Sequence, residues 1–211
     1  MKHLSKLLPI ALVQELIVLL MAYLECQNNT TLFFQSAARL SGRISLLCFA
    51  FLFIFATLQD YTKPDRAVLH ITYIFARNFM FIHVIHWVLL ANAVMRSGFD
   101  LVPMRLVGGA LAYGMIVLLP FILKAVKNKT LDYKIFKTIP LRLVMPSYLT
   151  YVWLIFLMTY VSRVNGSATH VTGSMSAYTF LIVLTIALML WRLYMLWHKH
   201  KIRMSSVTRA V

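Results

Sequence analysis

Acidic residues are scarce in this chain, with six Asp and Glu among 211 residues against 21 Lys and Arg. Charged residues make up 13% of the sequence, about half of the ~25% that is usual for a soluble domain. The apolar residues form long blocks, which approach the ~20 residues needed to cross a bilayer core of ~30 Å. Since backbone groups in lipid must be paired within their own segment, and no alternating barrel pattern is present, these blocks predict helices.

The sequence lacks the motifs of several common enzyme and binding-site classes. The sequence has no Gly-rich phosphate loop, no Cys-x-x-Cys, no His-Glu-x-x-His and no Gly-x-Ser-x-Gly. Six acidic residues in all disfavour a hydrolase with two carboxylates. The two cysteines, Cys26 and Cys48, give no disulfide framework. Whether the chain is an enzyme stays open, the remaining possibility being the membrane electron-transfer part of an oxidoreductase.

The sequence predicts an all-α fold, with residues 1–211 forming a single domain that is a bundle of about six transmembrane helices. The predicted spans are about 7–25, 42–60, 72–95, 104–126, 144–163 and 174–197. The N-terminus, the second and fourth connections and the C-terminal tail hold sixteen of the 21 Lys and Arg when Arg77 and Arg192, near span ends, are included. This excess predicts that both termini are cytoplasmic. The position of these basic residues beside the lipid bilayer accounts for the positive charge of the chain, so no nucleic acid partner is expected.

The third predicted span contains two histidines, His83 and His86, one helical turn apart, so both can face one interior seam. Neutral imidazoles are good ligands for haem iron or a divalent metal. The two cannot be opposing axial ligands of one haem, because the porphyrin plane must pass between such ligands. The alternative is a pair of histidines that bond to neighbouring helices.

Glu15 is the only carboxylate deep in any predicted span, and ionisable groups in a membrane are functional candidates by default. It fits a proton relay, a haem-edge partner, or a metal ligand together with His83 and His86. A protonated side chain bonded to another helix fits equally well. Arg77 is predicted to extend to the cytoplasmic interface.

The segment Ala76-Arg77-Asn78-Phe79-Met80-Phe81-Ile82-His83-Val84-Ile85-His86 resembles the third helix of the ferric reductase-like transmembrane domain. Softer similarities extend over roughly residues 38 to 160, including Arg105-Leu106-Val107-Gly108-Gly109 in the fourth span. That superfamily includes the YedZ/MsrQ haem subunits and the membrane cores of NADPH oxidases. The resemblance implies a six-helix haem b carrier in a bacterial inner membrane, with axial histidines on the third and fifth helices.

The fifth span of this chain has no histidine where that family places its second ligand. Met145 falls near the position, and a thioether can ligate haem iron. The resemblance therefore implies haem b with one or two axial ligands from His83 and His86, and with Met145 as the candidate ligand on the fifth helix. Arg77 or Arg105 would lie beside the propionates.

Two function classes follow. The first is a haem b membrane subunit that takes electrons from a quinol or from a separate reductase partner. The second is a non-redox membrane protein, either a structural or assembly subunit of a larger complex or a small transporter.

Overall fold

The computed structural model of the chain describes residues 4–26, 29–61, 66–98, 103–128, 141–165 and 174–208. These residues form six α-helices and no strands, which confirms the predicted all-α fold. The helices are α1 (Leu4–Cys26), α2 (Thr30–Tyr61), α3 (Arg66–Ser97), α4 (Pro103–Asn128), α5 (Leu141–Val164) and α6 (Met175–Thr208).

Helix α2 differs most from its predicted span. The sequence places that span at about 42–60, whereas the helix begins at Thr30. Polar residues such as Gln35 and Arg39 gave the preceding stretch the composition of a loop. Their partners lie inside the bundle instead, since Gln35 Nε2 donates to Ser97 Oγ of α3 at 2.8 Å. The start of α2 is therefore a polar helical segment packed against its neighbours.

Short polar residues and one glycine define several helix ends. Asn29 caps α2 by accepting a hydrogen bond from the Leu32 amide at 3.1 Å. Ser174 caps α6 in the same way through the Ala177 amide at 3.2 Å. Gly98 follows the last residue of α3 with a φ of 62°, a conformation that glycine adopts without a side-chain penalty.

Neighbouring helices run in opposite directions in the pairs α1–α2, α2–α3 and α5–α6. Along α2 and α3, Gln35 meets Ser97 whereas Cys48 meets Asn78, and α5 and α6 show the same reversal. The bundle therefore has two ends. We call the end where α1 finishes and α2 begins the α1–α2 end, and the opposite one the α2–α3 end. Helix α2 contacts α1, α3, α5 and α6, so it is the central helix.

Within the described segments, four helices are long and apolar enough to cross a bilayer, over Thr30–Leu58, His70–Ser97, Val107–Lys124 and Met175–Ile202. The chain is therefore a membrane protein. Membrane crossing by α1 and α5 stays a prediction.

Aromatic rings fill the middle of the bundle. The ring centroid of Phe49 lies 5.3 Å from that of Phe156, 5.5 Å from Phe79 and 5.7 Å from Phe53. Phe49, Phe53 and Phe79 are fully buried. Because lipid is as apolar as these side chains, close packing and ring geometry hold the helices together here. We call these four residues the aromatic core.

Candidate functional site

A cavity of about 330 Å³ lies at the α1–α2 end, within the ~300–1,000 Å³ range of small-molecule sites. It is lined by the first part of α2, the second half of α3, the first half of α4, the second half of α5 and Tyr178 of α6. Most of the lining side chains are apolar or small. The polar residues among them are Gln35, Arg39, Arg43, His83, His86, Tyr113, Thr159, Tyr160, Arg163 and Tyr178.

Both predicted histidines line this cavity. Their ring centroids lie 5.4 Å apart, as expected for residues one turn apart on a helix. His83 is 8% exposed, and its Nδ1 is hydrogen-bonded to Ser45 Oγ at 2.5 Å. His86 Nδ1 is buried and has no hydrogen-bond partner among the described residues. The two imidazoles therefore differ, since the Nδ1 of His83 is engaged and that of His86 is not.

Gly42 makes room for His86. A Cβ atom built at this glycine would lie 3.1 Å from His86 Cε1, closer than side chains normally approach. The backbone of α2 thus passes directly beside the imidazole. The absence of a side chain at Gly42 lets the ring occupy the cavity wall.

Three arginines line the same cavity. Arg39 and Arg43 lie one turn apart on α2, and Arg163 comes from the end of α5. Arg39 Nη2 forms an ion pair with Glu25 Oε2 at 2.6 Å, and Glu25 also bonds Ser36. The guanidinium carbon of Arg43 lies 5.6 Å from the ring centroid of Tyr178.

The arginines have unused hydrogen-bonding capacity. The Nε atoms of Arg39 and Arg43 are buried without an acceptor among the described residues, although an arginine Nε–H is always a donor. No Asp or Glu is among the described residues that line the cavity. Buried donors are normally satisfied, so this cavity suits a ligand that carries acceptor oxygens and negative charge.

Two of the other predicted site residues lie away from this cavity. Met145 is half-buried near the start of α5 and packs against the main core cluster. The cavity residues of α5 begin at Val152, two turns further along. The structure therefore does not bring Met145 to the histidine pair.

Arg77 is also separate from the cavity lining. It is 3% exposed, and its guanidinium carbon lies 5.6 Å from the ring centroid of Tyr73 and 5.9 Å from that of Phe81. The guanidinium is thus buried among rings, in contrast to the predicted extension to the interface. The side chain of Arg105 lies outside the described residues.

Glu15 is buried, but away from the histidines' cavity. Its Oε1 accepts a hydrogen bond from Ser41 Oγ at 2.8 Å. No group of three His, Cys, Asp or Glu side chains converges among the described residues. The structure therefore gives no support to a divalent metal site of His83, His86 and Glu15 among the described residues, and that site stays a prediction.

Sequence reasoning found the histidines and missed the arginines beside them. The predicted spans leave Arg39 in a connection and place Arg43 and Arg163 at span ends, so none of the three is predicted to line a cavity. One signal was available: Ala38 and Gly42 are small residues four apart, a spacing typical of close helix packing. The arginine pair directly follows that small pair in sequence and therefore lies on an adjoining strip of the same helix.

Fold and site together define a helical membrane protein with a basic, mostly apolar cavity inside its bundle. Comparison with protein-family models, curated proteins and solved structures finds no match to this chain.

The cavity residues fit haem b in two respects. An imidazole whose Nδ1 has no partner among the described residues lines the same cavity as three arginines, and propionates are natural partners for guanidiniums. In a third respect the fit is incomplete, because the described lining contains no histidine or methionine from a helix other than α3.

Proposed function

We propose that this chain is a haem b-binding membrane protein that takes part in electron transfer, as the resemblance to ferric reductase-like domains implies. The observation that supports it is the meeting of His83 and His86 with Arg39, Arg43 and Arg163 in one cavity. When bound, haem supplies reversible one-electron chemistry at its iron.

The residues of the chain would have distinct roles toward this group. His86 is the proposed iron ligand, because its Nδ1 has no hydrogen-bond partner within the described part of the chain, whereas that of His83 is held by Ser45. Arg43 and Arg163 would hold the carboxylates, and Arg39, already paired with Glu25, would contribute less. The apolar lining would exclude water. These roles replace those predicted for Met145 and Arg77.

The proposal includes the orientation and setting implied by the sequence. Both termini are proposed to be cytoplasmic, in a bacterial inner membrane, because of the lysine and arginine distribution. The cavity would then open toward the outer leaflet. A quinol or a separate reductase subunit would supply the electrons, since the described residues contain no nicotinamide or flavin domain.

The test is an absorption spectrum of the protein purified from haem-replete cells, recorded oxidised and after dithionite reduction. We expect a Soret band and about one haem per chain. His86→Ala should lose most of the haem because it removes the proposed ligand. Met145→Ala should keep it, as should His70→Ala, which alters an exposed histidine on the same helix.

The result that would overturn the haem proposal is a colourless, monodisperse wild-type protein. Retention of full haem content by a monodisperse His86→Ala variant would overturn the ligand assignment. Size-exclusion chromatography of every variant separates loss of haem from loss of fold.

A second candidate function is favoured by the absence of a second axial ligand from the described lining. In that case the cavity binds the anionic head of a lipid, and the chain is a non-redox subunit of a larger assembly or a small transporter. Native mass spectrometry of colourless protein would then detect a bound anionic lipid, which Arg43→Gln should release. Neither haem nor lipid on the wild type would argue against both functions.

A further inference from the structure

A line of buried polar side chains connects α1 with the cavity. It consists of Glu15 on α1, Ser41 and Ser45 on α2, and His83 on α3, and we call it the polar seam. All four residues are buried, with exposed fractions of 2%, 0%, 0% and 8%. Polar groups at this depth of a membrane bundle are costly and are functional candidates.

Glu15 is the only carboxyl group of the seam. Its Oε1 accepts from Ser41 Oγ at 2.8 Å, whereas its Oε2 is buried without a hydrogen-bond partner among the described residues. The described part of the chain shows one ion pair, Arg39–Glu25, which does not include Glu15. An isolated buried carboxylate is too costly to persist, so the carboxyl group holds its proton.

Helix α2 provides the connection to the cavity. Ser41 and Ser45 are four residues apart, so their side chains are neighbours on one face with Cβ atoms ~6 Å apart. Ser45 Oγ is bonded to His83 Nδ1 at 2.5 Å, and the His83 ring lines the cavity. One water molecule between the two serine hydroxyls would complete the line, as is common for polar groups separated by more than 3.5 Å.

We propose that Glu15 is a proton-holding group that exchanges protons with the cavity through Ser41, Ser45 and His83. This role goes beyond the proposed function and does not require haem. It gives the cavity a buried source and acceptor of protons for whatever anionic or redox-active molecule it binds.

The proton count balances along the seam. When Glu15 takes up a proton, His83 accepts one from the cavity at Nε2 and releases one from Nδ1 to Ser45. Ser45 passes a proton to the intervening water, the water to Ser41, and Ser41 to the Glu15 carboxylate. Each hydroxyl, the water and the imidazole finish with the number of protons they had at the start, and only Glu15 changes its protonation state.

A neighbouring polar branch does not offer an alternative path. Asn78 Nδ2 donates to Gln14 Oε1 at 3.1 Å and to Cys48 Sγ at 3.4 Å. Amide groups hold their protons and serve as fixed donors and acceptors. We therefore assign this branch to positioning α1 against α2 and α3.

The test is infrared spectroscopy of the full-length protein in detergent or lipid, with or without haem. The wild type should show the carbonyl stretch of a protonated carboxylic acid, and Glu15→Gln should remove it. With six Asp and Glu in the chain, this assignment is tractable. On transfer to D₂O, the band shifts as the carboxyl proton exchanges, and the rate of that shift reports the path.

Ser41→Ala and Ser45→Ala should each slow this exchange about tenfold or more, because the proton must then wait for a local opening of the bundle. The matched control is Thr72→Val, which removes a fully buried hydroxyl of α3 that bonds the Val68 carbonyl outside the seam. Thr72→Val should exchange at the wild-type rate.

Two results would overturn the proposal. One is a carboxylic acid band that persists unchanged in Glu15→Gln, which would mean that another carboxyl group produces the band and that Glu15 contributes none of it. The other is exchange in Ser41→Ala and Ser45→Ala that is as fast as in the wild type. Both readouts are available from colourless protein, so a failure of the haem proposal would leave this test intact.

Discussion

The two ends of the bundle both contain arginines that face inward, buried at one end and half-buried at the other, and these arginines differ in what surrounds them. At the α2–α3 end, Arg192 Nη1 donates to Thr57 Oγ1 at 2.8 Å, and its guanidinium carbon lies 5.4 Å from the ring centroid of Phe53. At the α1–α2 end, Arg39 and Arg43 line the cavity, and each keeps a buried Nε that meets no acceptor in the segments that the structure describes.

This difference shows that a buried charge does not by itself indicate a binding site. Arg192 serves packing, because protein atoms occupy the surroundings of its guanidinium. Around Arg39 and Arg43 the aromatic core stops short and leaves a cavity that Phe156 helps to line. Unused donors together with space distinguish the binding end from the packed end.

The largest expected effect comes from filling that space. Gly42→Leu places a side chain where even a Cβ atom would crowd His86. Overpacking costs up to ~3 kcal/mol, so affinity for the cavity ligand should fall about 100-fold. Haem titration or native mass spectrometry would measure this loss.

Gly114→Leu is the matched control, because a Cβ atom at Gly114 on α4 meets no heavy atom within 4 Å. Equal ligand loss in both variants would mean that bulk on any helix disturbs the bundle. The assignment of Gly42 to the cavity wall would then be withdrawn.

An intermediate effect is expected at the packed end. Thr57→Val removes the acceptor of Arg192 Nη1, and hydrogen bonds to charged groups contribute about 2 kcal/mol. Stability against SDS-induced unfolding should therefore fall by about that amount, whereas ligand content should not change. A loss of ligand without a loss of stability would contradict the division between the two ends.

The smallest effect is expected for Arg43→Lys. This variant keeps the positive charge but removes the planar donor group, whose Nε–H has no acceptor in the described part of the protein. We expect about tenfold weaker ligand binding, corresponding to ~1.4 kcal/mol, in a direct titration. Arg96→Lys, an exposed residue of α3 over the ring of Phe34, should bind as the wild type does. Unchanged binding by Arg43→Lys would show that charge alone is recognised.

The helices were predictable because lipid permits few alternatives for long apolar blocks. Six blocks gave six helices, and a spacing of three residues correctly placed His83 and His86 on one seam. The start of α2 was not predictable from hydropathy, because the hydropathy of Arg39 and Arg43 is the same whether their side chains face the bundle interior or the outside. Only contacts between helices show that they face inward.

The residues that line the cavity together with the histidines could likewise not be predicted from the sequence. Met145 and Arg163 lie on the same helix, and either one suits a haem pocket by its chemistry. The way in which the helices pack around α2 determines that the end of α5 lines the cavity while its beginning does not. This packing depends on which helices contact α2, and no short stretch of sequence specifies those contacts.

The length of α2 bears on how a ligand reaches the cavity. The apolar span of α2 ends at Leu58. A helix rises ~1.5 Å per residue, so a bilayer core of ~30 Å that has one boundary at Leu58 has its other boundary near Ala38. Arg39 and Arg43 therefore lie close to the headgroup depth of one leaflet. A ligand with an acidic head would enter sideways from that leaflet, so occupancy should follow its mole fraction among the lipids more closely than its concentration in water.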